Sequence, residues 1–156
     1  MNFFGVYEMS NNHKLETIER IHGFMFAGNA TFTFASIKTG SRFTYKIRES
    51  DSANPIFFVS ALTSSDNENG FSYMGIIKEN HNGDLNFFFA KPEKAKIASN
   101  APSAKAFEWA INQILKDRKP PSLEIWHEGR CGRCGRKLTV PESINKGIGP
   151  ECATKD

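Results

Sequence analysis

Residues 30–48 read ATFTFASIKTGSRFTYKIR, and this stretch sets the fold class. Phe32 and Phe34 alternate with threonines, residues 38–41 (KTGS) carry turn chemistry, and Phe43, Tyr45 and Ile47 then alternate with Arg42, Thr44, Lys46 and Arg48. Successive side chains of a strand point to opposite faces. Period-2 alternation on both sides of a glycine-containing turn therefore predicts an antiparallel hairpin. One of its faces is aromatic and expected to be buried. The other face of the second strand carries the cations Arg42, Lys46 and Arg48.

Working downstream, residues 50–55 (SDSANP) read as a loop that delivers Pro55 to the start of a strand, IFFVSAL (56–62). A polar segment at 64–70 separates it from FSYMGII (71–77). The Asn82–Gly83 pair then predicts a tight type I′ turn into LNFFFA (85–90). Four or five strands joined in sequence describe an antiparallel meander. Phe57 and Phe58, like Phe87, Phe88 and Phe89, are contiguous rather than alternating, which predicts that parts of the sheet are covered on both faces.

Helical spacing brackets this meander. Leu15, Ile18, Ile21, His22 and Met25 predict a helix over 14–27, with Gly28 as its stop. Pro102 suits a first helical turn, and Ala104, Phe107, Ile111, Ile114 and Leu115 form an apolar stripe up to about residue 116. Pro120 and Pro121 cannot continue that helix. The expected architecture is α+β: an antiparallel β-meander packed by two helices over residues 1–119, then a separate cysteine-bearing tail over 120–156.

Composition agrees with a globular body. Of the 156 residues, 39% are hydrophobic and 24% charged, an ordinary balance, and 14 phenylalanines point to an aromatic-rich core. The first 20 residues lack a basic region followed by an apolar one, so no secretory leader is expected. No run approaches the length of a membrane span. An odd number of cysteines at CxxC spacing argues against a disulfide framework, and cytoplasm is the expected compartment.

All three cysteines and one of the four histidines fall in the tail, spaced His127-x3-Cys131-x2-Cys134-x17-Cys152. Three thiolates and one imidazole are a recognised tetrahedral set for structural zinc. In the Cys131-Gly132-Arg133-Cys134 step, glycine allows the tight turn that aims two sulfurs at one ion. Thr139, Pro141 and residues 142–146 predict a short helix ended by Gly147, and Gly149-Pro150 would return the chain to Cys152. Such a site has no open position, so one structural Zn2+ per chain is expected. Should His127 not bind, Glu128, Glu151 or water completes the set. A redox CxxC is disfavoured because the βαβ context it requires is lacking.

The string CGRCGRKLTVPESINKGIGPEC resembles a short zinc-binding domain of unknown function found in bacteriophage and phage-derived bacterial proteins. Its pattern, approximately CxxCGRxLTxPxSxxxGxGPxC, is matched at every position from Cys131 to Cys152. The stretch GNATFTFASIKTGSRFTYKI is also similar to the N-terminal part of small phage proteins that carry such a tail. The resemblance implies phage or prophage origin and a zinc site, and it implies no activity.

Arg130, Arg133, Arg136 and Lys137 stand close together with no acid among them. Small zinc modules present such cations to phosphates, and a hairpin with Arg42, Lys46 and Arg48 beside aromatic residues suits a single strand. A nucleic-acid partner, DNA or RNA, is therefore expected. Arginines beside thiolates can also simply balance charge, and strand cations are commonly solvated. The formal net charge is only +3, which three zinc-bound thiolates would lower. The competing expectation is an inhibitor of a host or defence protein acting by protein–protein contact. No nucleophile–base pair, paired carboxylates or phosphate-cradling loop predicts an enzyme.

Overall fold

The alternation within residues 30–48 folds as a hairpin. Strands β1 (Asn29–Ser36) and β2 (Arg42–Glu49) pair antiparallel, with Phe34 opposite Phe43, Phe32 opposite Tyr45 and Ala30 opposite Ile47. The computed structural model of the protein describes residues 13–54, 56–64, 70–134 and 147–148. Strands β3 (Phe57–Leu62), β4 (Phe71–Glu79) and β5 (Leu85–Phe89) extend the meander. Between β3 and β4 the register shifts at Val59/Ser60, so that Met74 is an extra residue and both Met74 and Gly75 lie on the buried side.

A sixth strand, β6 (Leu123–His127), returns to the free edge of β1. The strand order is β5-β4-β3-β2-β1-β6, with every pairing antiparallel. The two prolines and the apparent linker predict no strand in this stretch. Leu123, Ile125 and His127 are buried while Glu124 and Trp126 face the other way, so the period-2 signal is present. It is five residues long and follows two prolines, which masks it. Residues 13–15 run along the outer edge of β6. Leu15 N donates to Ile125 O at 2.7 Å and His127 N to His13 O at 2.9 Å. The edge is thus covered instead of presenting unpaired amides.

That use of residues 13–15 shortens the first helix. Helix α1 (Ile18–Met25) starts after Thr17, whose hydroxyl caps it by accepting from Arg20 N at 3.2 Å. Helix α2 (Pro102–Ile114) opens on Pro102 and buries Ala104, Phe107, Ala110, Ile111 and Ile114. It stops short of Lys116, and Asp117 then adopts a left-handed conformation (φ 61°). The two helices meet where His22 Nε2 lies 2.8 Å from Ile114 O.

Both helices cover one face of the sheet, hereafter the inner face. Phe107 packs there on Phe34, Tyr45 and Phe87 with ring centroids 4.9–5.8 Å apart. Tyr45 is fully buried and donates to Ser103 O at 2.7 Å, and burial pushes its phenol well above the ordinary value.

Two expectations are corrected. Residues 80–84 do not form a two-residue type I′ turn, which needs a left-handed residue at both centres. Only Gly83 of the pair is left-handed; Asn80 organises a longer loop, its Oδ1 accepting from Asn82 N and Asp84 N at 2.8 and 3.1 Å. Nor, among the described residues, does anything cover the phenylalanine-rich part of the sheet on its second face. Phe57 and Phe87 turn inward, but Phe58 and Phe88 stand on the outer face, each 42% exposed.

Candidate zinc knuckle and nucleic-acid interface

Strand β6 delivers His127 to the inner face, where its side is closed off by two rings. His13 stacks on the imidazole at 4.8 Å with an interplanar angle of 11°, and Phe24 of α1 lies 5.4 Å away. His127 is 2% exposed. Two residues on, Gly129 N donates to His127 Nδ1 at 3.0 Å. Cys131 is buried and Cys134 exposed, and neither is in a disulfide. Arg133 N donates to Cys131 Sγ at 3.4 Å, so the backbone turns around this sulfur as a knuckle does.

The knuckle is seated on the body. Asn29 N, at the first residue of β1, donates to Gly132 O at 2.7 Å, and Gly132 N donates to Gly147 O at 2.8 Å. Both glycines lie against the Phe24 ring. A Cβ on either would fall 2.6 Å from Phe24 Cδ2, and Gly147 is also left-handed (φ 76°). The sequence predicts a tight turn at Gly132 and a helix stop at Gly147. Their partner is more than 100 residues distant in the chain for Gly132 and Gly147 alike, and no local pattern announces it.

The donor set can be tested against zinc. An N–H aimed at Cys131 Sγ favours the thiolate, the form that binds metal. His127 fits less directly. With Nδ1 accepting from Gly129, a neutral ring carries its proton on Nε2, and ligation through Nε2 requires that proton on Nδ1 instead. Cys152, the 142–146 helix and the 149–150 turn lie outside the described residues. Among the described residues no three His, Cys, Asp or Glu side chains converge as a metal group.

The predicted cations divide by position. Arg42, Lys46 and Arg48 lie on the outer face of β2, opposite Ala35, Thr31 and Asn29 of β1. Arg130 and Arg133 are exposed on the knuckle; Arg136 and Lys137 lie outside the described residues. The outer face also receives Lys14 and Lys78. The carboxylate its strands bring there, Glu124, is held by Lys14 at 2.8 Å. Lys46, Arg48, Phe58 and Ser60 line a shallow hollow whose acidic members are Glu49 and Asp51.

Aromatic rings share this face, where the phenylalanine runs predict burial instead. Lys46 Nζ lies 4.7 Å from the Phe71 centroid and Lys78 Nζ 5.5 Å from that of Phe88. Phe58 and Tyr73 are in contact at 6.3 Å. Phe58 and Phe88 sit inside phenylalanine runs, and alternation of faces along a strand was the available signal.

Residues 126–155 match a family of unknown function, DUF6011. The match begins at Trp126 on β6 and therefore includes His127 and every cysteine. Its description names no activity. No characterised protein and no solved structure matches the chain.

Proposed function

We propose that the protein is a phage-encoded accessory protein that binds single-stranded nucleic acid in the host cytoplasm and carries one structural zinc in its tail. The observation that carries the binding reading is the junction at Asn29. This residue stands opposite Arg48 in the sheet and hydrogen-bonds the knuckle through Gly132 O. The strand that pairs with the cation-bearing β2 therefore touches the knuckle directly, which supports reading the two sets of cations together. Phosphate contacts from Lys and Arg supply affinity through counterion release and tolerate any sequence. The zinc reading is supported by the cysteine spacing and the amide on Cys131 Sγ, the phage origin by the resemblance of the tail. Cys131, Cys134 and Cys152 would hold the zinc, with His127 as fourth ligand once its Nδ1 releases the Gly129 amide, and the cations between them would be fixed in place.

The test is salt-dependent binding of labelled single strands to the zinc-loaded protein. Affinity is expected to fall as salt rises, and replacing Arg130, Arg133, Arg136 and Lys137 with Ala is expected to reduce the slope by roughly one unit per lost phosphate contact. Arg42→Ala and Lys46→Ala are expected to add to the loss. A second reading, inhibition of a host protein, has its own observation. Trp109 is 49% exposed beside a hollow lined by Phe34, Phe43 and Leu123. Failure to bind any oligonucleotide at about 50 mM salt, with a stable complex lost on Trp109→Ala, selects that reading.

A further inference from the structure

The outer face carries a row of residues that crosses five strands. In register, Asn29 stands opposite Arg48, Arg48 opposite Phe58, Phe58 opposite Ile76 and Ile76 opposite Phe88. The row begins at the residue that holds the knuckle and ends on the far edge strand. Tyr73 lies beside it, against Phe58, and Lys46 and Lys78 flank it on opposite sides. We infer that this row is a stacking platform for the unpaired bases of a single strand running across the β-strands, from the knuckle to β5.

Three features select this occupant. Phe58 and Phe88 are two strands apart, about 10 Å at the usual strand spacing, so each offers its ring to a different base. Both are exposed although phenylalanine is ordinarily buried, and Ile76 between them adds an apolar floor. The cations Arg48, Lys46 and Lys78 border the rings, while the strand carboxylate on this face is already held by Lys14. Aromatic rings beside cations complement a chain that alternates apolar base faces with anionic phosphates. A duplex keeps its bases stacked on one another and would use the cations alone.

The inference rests on the nucleic-acid reading, and one experiment separates them. Full-length protein is titrated with labelled oligodeoxythymidylate and with a duplex of equal length at about 50 mM salt. Phe58→Leu/Phe88→Leu keeps apolar bulk at both positions, and an unchanged melting curve confirms that it folds. Loss of base stacking is expected to weaken single-strand binding by about tenfold or more while leaving the salt slope unchanged. Wild-type protein is expected to prefer the single strand. Unchanged single-strand affinity in the double variant, or equal affinity for the duplex, overturns the platform and leaves the cation reading standing. Absence of oligonucleotide binding by the wild type overturns both, as does capture of a protein partner through Phe58 and Phe88 in its place.

Discussion

Gly132 shows how one missing methyl seats a module. Its peptide bonds both Asn29 and Gly147, and its Cα faces Phe24 so closely that a Cβ would meet the ring at 2.6 Å and the Phe24 carbonyl oxygen at 2.8 Å. Gly132→Ala is therefore expected to destabilise the protein by about 1–3 kcal/mol through overpacking. Thermal melting checks this. Adding Phe24→Leu is expected to restore only part of the loss, because the backbone oxygen stays in place; a double-mutant cycle measures the share that belongs to the ring. An alanine variant that melts like the wild type would show that the knuckle does not rest on α1.

At the scale of elements, β6 ties the knuckle to the sheet. It lies between β1 and the extended residues 13–15, and it sends Leu123, Ile125 and His127 into the core. Ile125 is fully buried, so Ile125→Ala is expected to cost about 2–5 kcal/mol of global stability, read from denaturant unfolding. Amide exchange is expected to quicken in β1 and in residues 13–15 together, since both pair with β6. Were residues 120–127 part of a tail separate from the body, the same change would leave the body's transition where it was.

For the whole molecule, the expected consequence of a bound zinc is coupling between metal and body. A structural zinc stabilises whatever folds around it. Because the knuckle is hydrogen-bonded to β1 and packed on α1, chelation is expected to lower the melting temperature of the entire chain, not of the tail alone. Native mass spectrometry is expected to show one zinc per chain, and Cys134→Ser to lose it. Calorimetry with and without chelator reads the coupling. Metal-free, full-length protein with an unchanged melting curve would remove the zinc reading.

Local chemistry made much of this protein legible. Alternation in residues 30–48 predicts the β1–β2 hairpin and which side chains share a face, and apolar stripes predict both helices to within a few positions, because these signals arise from neighbours in the chain. The cation row Arg42, Lys46 and Arg48 follows from the same alternation. What escaped depends on distant contacts. The strand at 123–127 exists because β1 offers it an edge, and the first helix starts late because residues 13–15 are recruited to that strand. Phe58 and Phe88 read as core by composition, yet only the sheet's layering, with both helices on one side, leaves them facing outward. The seating of Gly132 and Gly147 on Phe24 is likewise tertiary. A residue's type sets what it can do, but which face it reaches and what packs against it are settled by parts of the chain far away.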